Sequence, residues 1–211
     1  AATLTLMIYP LHDWPLLDPT SAVGLQEIFS QAFIGILMGL LLQIINGALV
    51  VAGQAMSASM GLSMANMVDP SMGNVPVISQ FLLICSTLIF IGLGGHVLVI
   101  GLVAESFSAL PIAENMPVQA LATFVIEWSA MIFLGAILLG LPIMVSLLFI
   151  NMGLGVITRA APALNIFAVG FPAMIIAGML LLAMSMSSIG FRITWLWQQA
   201  FDKLGQALGV I

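Results

Sequence analysis

The residues that could do acid–base, nucleophilic or metal chemistry are few in this chain, and no spacing groups them. His12 and His96 are the two histidines, Cys85 is the single cysteine and Lys203 the single lysine. There is no His-Glu-x-x-His helix to hold zinc, no Walker A run and no Gly-x-Gly-x-x-Gly turn. Cys85 lies inside an apolar run, which reads as a small buried side chain rather than as part of a disulfide framework or a thiolate metal site. Catalysis is therefore not expected, and neither is a cofactor or a metal.

Three ionisable residues could still serve ion or proton movement. His96 in Gly94-Gly95-His96, Glu105 and Glu127 fall in or beside apolar segments, where charge is expensive and usually functional. The plainer reading makes His96 a histidine bonded to a carbonyl at a helix contact. It also leaves Glu105 and Glu127 near segment ends, within reach of water or headgroups. We prefer the plainer reading and keep an ion- or proton-coupled secondary transporter as the alternative function.

The most distinctive set is Met56, Met60, Met64, Met67 and Met72, the first three spaced four apart on one helical face. A methionine stripe is usually core. Here the thioethers are interleaved with Ser57, Ser59, Gly61, Ser63 and Asn66 and followed by Asp69-Pro70. That mixture is too polar to face lipid, and its soft, unbranched side chains would suit a deformable seal around a pore.

The elements that would position such a seal are set by composition. Of 211 residues, 62% are hydrophobic and 5% charged, whereas a soluble domain carries about a quarter charged residues. No soluble surface can be built from that. Ile28 to Val68, Pro70 to Ala104, Trp128 to Thr158 and Ala160 to Phe191 contain no charged residue, and each exceeds the roughly 20 helical residues that cross a bilayer. A net charge of −5 with three basic residues excludes nucleic acid, whose binding rests on Lys and Arg. An all-α membrane protein follows, built from long, partly broken helices and helical hairpins. On a hairpin reading Arg159 falls opposite Arg192 and Lys203, so the positive-inside rule fixes no orientation.

Along the chain, Ala1 to Ile8 reads as the end of a helix whose beginning lies upstream, and Tyr9 to Asp18 as a loop. Thr20 or Ser21 is the expected N-cap of a helix that is apolar from Ile28 to Ala52. Ala48, Ala52, Ala55 and Ser59 form a small-residue stripe for close helix approach. Asp69-Pro70, Gly73, Asn74 and Pro76 mark a reversal. Val77 to Ala104 is the next apolar segment, where Gly92, Gly94 and Gly95 predict a break or a tight contact. Leu121 to Ile150 contains Pro142, 151–162 reads as a connection, and Leu164 to Ile189 contains Pro172. The tail, 191–211, reads as an amphipathic helix with Ile193, Trp197, Phe201, Leu204, Leu208 and Ile211 on one face, and Trp195 and Trp197 as interfacial anchors.

One set of motifs adds to this reading. Gly53-Gln54, Met60-Gly61-Leu62-Ser63-Met64-Ala65, Val68-Asp69-Pro70, Pro76, Gly95-His96, Ser106-Phe107 and Leu110-Pro111 occur in order. Arg159-Ala160-Ala161-Pro162-Ala163-Leu164-Asn165-Ile166-Phe167 and Gly170-Phe171-Pro172 follow them. Over nearly its whole length the chain resembles the FliR family of flagellar biosynthetic proteins, subunits of the type III secretion export gate.

The resemblance implies a single helical export-gate domain over 1–211 with further helical sequence upstream, in the bacterial inner membrane at the flagellar basal body. It implies a hetero-oligomeric helical assembly, the FliPQR complex, with FliP-like, FliQ-like and FlhB-like partners, contact with lipid and passage of unfolded flagellar substrates. It also implies a pore plug over 60–76: Met60, Gly61, Leu62, Ser63, Met64, Ala65, Asn66, Met67, Val68, Asp69, Pro70 and Pro76, with thioethers at Met64 and Met67 where some relatives carry aromatic rings. Gln54, Gly95, His96, Arg159, Pro162, Asn165 and Pro172 are then structural or assembly positions.

Overall fold

The computed structural model describes residues 5, 9–11, 18–62, 77–109, 118–160 and 166–209, the side chains of 11, 118 and 166–169 excepted. Among these the chain is helical, with no strand. After a 3-10 turn at Tyr9–Leu11 come α1 (Ala22–Ser59), α2 (Val77–Gly92), α3 (Gly95–Ala109), α4 (Val118–Ser129), α5 (Met131–Ala160) and α6 (Ile166–Leu208). Three helical stretches, Ala22–Ser59, Gln119–Ala160 and Gly170–Leu208, are long and apolar enough to cross a membrane, and up to four spans result if α2 and α3 are taken as one bent span. The all-α membrane class read from composition is the class observed.

Of the two candidate caps, Ser21 is the one used. The Gly24 N–H donates to Ser21 Oγ at 3.0 Å, while Ser21 Oγ itself donates to the Asp18 carbonyl at 2.7 Å. Thr20 instead donates from its backbone N–H (2.9 Å) and its hydroxyl (2.7 Å) to Asp18 Oδ1. These two bonds, the hydroxyl's first, hold the Asp18 carboxyl below its ordinary value of 3.8. A depressed carboxylate contributes above its unfolded value and loses that contribution as pH falls through the folded one. The protection of the Thr20 amide, its exchange rate relative to the intrinsic rate at the same pH, is therefore expected to hold above pH 3.8 and to fall as pH drops through the lowered value. Unchanged protection through that window would remove the role given to Asp18. Ser21→Ala is expected to cost about 1 kcal/mol at neutral pH.

The helices build two compact units. The first comprises Ala1–Ile44, Phe90–Ala130 and Trp197–Ile211. Its core joins Ile34, Leu37, Met38 and Leu41 of α1 to Leu121 and Trp128 of α4 and to Leu204 and Leu208 of α6. Trp128 Nε1 donates to the Leu41 carbonyl at 3.4 Å. Trp197 lies 4.7 Å from Phe90 and 6.0 Å from Phe201, ring to ring, and is only 5% exposed. It is a core aromatic and not the interfacial anchor expected from its place in the tail.

The second unit comprises Ile45–Ile89 and Met131–Leu196. Ile45, Leu49 and Met56 of α1, Leu82 of α2, Leu139, Ile143 and Leu147 of α5, and Ile189, Ile193 and Leu196 of α6 form its core. Of the predicted small-residue stripe, Ala55 and Ser59 are half-buried, while Ala48 and Ala52 are fully buried. Opposite them stand glycines of α5: a Cβ on Gly135 would lie 3.0 Å from the Ala48 methyl, and one on Gly140 would lie 3.8 Å from the Ala52 carbonyl oxygen. Backbones approach closely where both partners are small.

Three boundaries differ from the sequence reading or sharpen it. Residues 151–160, expected to be a connection, are the last turns of α5. Gly153 and Gly155 do not end the helix, because an apolar surround offers the backbone no water to replace its helical bonds. The tail is not a separate helix either, since α6 runs unbroken through Phe191 to Leu208. The break expected among Gly92, Gly94 and Gly95 does occur: Gly94 takes φ +70°, and its carbonyl caps α3 by accepting from the Val97 and Leu98 N–H groups. The tight contact occurs as well, because a Cβ on Gly95 would fall 2.5 Å from the Phe90 ring and 2.9 Å from that of Phe201.

Candidate functional site

The described part of the expected plug is its root, where α1 ends. The Met60 N–H still donates to the Met56 carbonyl at 3.0 Å, and the Gly61 N–H tightens to the Ala58 carbonyl at 3.0 Å. Gly61 then takes φ +79°, the left-handed conformation that stops a helix and that glycine adopts without a Cβ clash. Leu62 follows, half-buried. Ser63, Met64, Ala65, Asn66, Met67, Val68, Asp69, Pro70 and Pro76 lie outside the described residues.

Met60 anchors that root. Its side chain is fully buried and lies so close over Gly178 of α6 that a Cβ there would be 2.5 Å from Met60 Cγ and 2.7 Å from Sδ. One turn earlier, fully buried Met56 reaches Gly140 of α5, whose added Cβ would stand 3.9 Å from Met56 Cε. The first two thioethers of the stripe thus pack as core. Met64, Met67 and Met72 lie outside the described residues.

The end of α1 and the start of α2 meet in one clamp. Gly53, two turns before Met60, faces Ser79, two residues into α2. A Cβ on Gly53 would lie 2.5 Å from Ser79 N and Cα. Ser79 Oγ donates to the Val50 carbonyl at 3.0 Å, so its buried hydroxyl is satisfied by a carbonyl of α1. The last turns of α1 and the first turn of α2 are thus held together by a backbone-to-backbone contact. Gln54, next to this contact, is exposed.

The remaining predicted positions are distributed. Gly95 is buried and His96 beside it is exposed, as are Glu105 and Glu127. Among the described residues no group of three or more His, Cys, Asp or Glu could hold a metal ion. Arg159 is exposed in the last turn of α5, where a cation complements the negative end of the helix. Pro172 is exposed inside α6. Pro162 and Asn165 lie outside the described residues.

Sequence reasoning found Gly53, Gly61 and the methionines but not their partners. Gly178, Gly140 and Ser79 are 118, 84 and 26 residues from the groups they receive. Their only local signal is a small side chain in an otherwise bulky apolar run, as in Ala177-Gly178-Met179.

The kinship of the chain agrees with this architecture. Residues 1–202 match the family described as bacterial export proteins, family 1. The chain is similar to the flagellar biosynthetic protein FliR of Pectobacterium carotovorum subsp. carotovorum, 34% identical over 209 residues, 97% of this chain and 79% of that protein. FliR of Escherichia coli K12 is 32% identical over 201 residues, 94% of this chain and 76% of that protein. FliR of Bacillus subtilis 168 is 29% identical over 165 residues, 76% and 64% of the two chains. With its long apolar helices, this is a protein of the bacterial inner membrane at the flagellar basal body. The chain belongs to the bacterial export proteins, family 1, and is a component of the flagellar export apparatus.

Proposed function

We propose that this chain is a non-enzymatic core subunit of the flagellar type III export gate, and that residues 60–76 occlude its pore until unfolded substrates pass. The observation that carries the reading is the anchored root. A fully buried Met60 over Gly178 and the Gly53–Ser79 contact fix the end of α1 and the start of α2, which flank a stretch of sequence rich in Met, Ser and Asn. A seal must be fixed at its base and deformable at its tip, and thioethers supply the deformability.

In this reading the apolar faces of α1, α5 and α6 pack against FliP-like and FliQ-like subunits, an FlhB-like subunit and lipid. Phe29, Phe133, Phe149, Val156 and Met184 are among the large side chains left exposed on them. Energy for transport comes from other components.

Deleting Met64 to Met67 is expected to raise ion leakage through the assembled gate while the subunit still co-purifies with its partners. Unchanged leakage in a correctly assembled gate would leave a scaffold without a plug. If the chain were instead a proton- or ion-coupled transporter, neutralising His96, Glu105 and Glu127 together would stop transport. The export-gate reading expects protein export to continue in that variant.

A further inference from the structure

Pro142 lies in the interior of α5, and a proline has no N–H to give the carbonyl four residues before it. The carbonyl left without its helical donor is that of Leu138. Arg192 of α6 reaches it, Nη1 donating to the Leu138 oxygen. We propose that Arg192 is a positioning residue: its guanidinium stands in for the N–H that Pro142 lacks and fastens α6 to α5 at that point.

Leu134, Ile137 and Leu141 around the carbonyl and Phe191 beside the arginine are large, exposed apolar side chains. The surface they make is one that lipid or another subunit covers, so water is not a ready substitute donor. An unsatisfied backbone carbonyl in such a setting is costly. A cationic donor makes a stronger hydrogen bond than a neutral one, and a guanidinium keeps its charge in an apolar surround. The rest of the contact holds the register: Leu139 and Ile143 on one helix and Ile189 and Ile193 on the other are fully or almost fully buried. α5 makes a second local adjustment, Ser146 Oγ donating to the Pro142 carbonyl at 2.8 Å.

This explains a charge that the functional reading leaves unused. Arg192 directly follows the last long charge-free run, where a basic residue would otherwise be taken as a topology signal. It also gives α6 a fixed point about four turns of helix from Gly178, on the same element that receives Met60.

The test is a double-mutant cycle on the full chain in detergent, read as melting temperature, with Arg192→Met, Pro142→Ala and the double variant. Pro142→Ala returns an N–H to Leu138 and is expected to be neutral or stabilising. Arg192→Met is expected to lower the melting temperature by about 4 °C or more when Pro142 is in place, and by less than half as much when it is combined with Pro142→Ala. Arg192→Lys, a shorter cationic donor, is expected to keep part of the stability and serves as the reporter should Arg192→Met fail to fold. Equal losses in the two backgrounds, or no loss at all, would overturn the proposal, because a general packing or topogenic role does not depend on what stands at position 142.

Discussion

Gly53→Ala is expected to part α1 from α2 and to lower stability by about 2–3 kcal/mol, even though alanine is the better helix former. The added methyl would sit 2.5 Å from Ser79 N and Cα, whereas carbon atoms in good contact are about 3.5–4.0 Å apart. Neither neighbour is a side chain that can rotate away, so the helices must separate by about 1 Å. Separation also lengthens the 3.0 Å bond from Ser79 Oγ to the Val50 carbonyl, a contact worth about 0.5–1.5 kcal/mol net. Against these losses alanine returns at most about 1 kcal/mol of helix propensity. Gly35→Ala and Gly39→Ala are the controls, since nothing lies within 4 Å of either added Cβ. They are expected to leave stability unchanged or raise it in the purified chain. Thermal unfolding of the three variants side by side decides the matter, and a Gly53→Ala protein as stable as the two controls would remove the clamp. If 60–76 occludes the pore as proposed, the same substitution is expected to disturb flagellar protein export in cells, because the end of α1 and the start of α2 move.

What the sequence made legible here was whatever is settled within a few residues or by bulk composition. Ser21 caps α1 because its hydroxyl needs only the Gly24 N–H three residues on and the Asp18 carbonyl three residues back, and both are local. Gly94 breaks the α2–α3 run because φ +70° is a property of one residue. The stripe through Ala48 and Ala52 announced a close approach, but nothing local said that Gly135 and Gly140 would meet it. The misread places share one cause. Gly153 and Gly155 are turn residues by the rules of water, and α5 ends beyond them at Ala160. Trp197 looked like a headgroup anchor because its neighbours Gln198, Gln199 and Asp202 are polar, yet its ring faces Phe90 and Phe201. The family resemblance supplied an order of motifs that periodicity alone could not. It pointed to 60–76 without revealing that Met60 at its root is core.

Gly178→Ala is expected to dislodge that root, and the result should depend on what stands at position 60. The new methyl would lie 2.5, 2.7 and 2.9 Å from Met60 Cγ, Sδ and Cε. A methionine can usually swing aside, but this one is fully buried, so moving it means displacing packed neighbours. Met60→Ala alone removes a buried side chain and leaves a cavity, at about 2–5 kcal/mol. In the double variant the methyl added at position 178 moves into space that Met60 vacated, so the clash is gone and the cavity is smaller. The two losses should therefore not add, with a coupling of about 1 kcal/mol or more in favour of the pair. Unfolding of the four proteins in denaturant measures this, and simple additivity would separate Met60 from α6. Ion leakage is expected to divide the variants differently. If 60–76 occludes the pore as proposed, Gly178→Ala keeps the side chains of that segment but shifts its base, so it should leak. The double variant restores the base without restoring the thioether at position 60, and it should leak less than Gly178→Ala alone. If leakage instead followed the loss of Met60 whatever stood at 178, the seal would depend on that side chain itself rather than on where α1 is made to end.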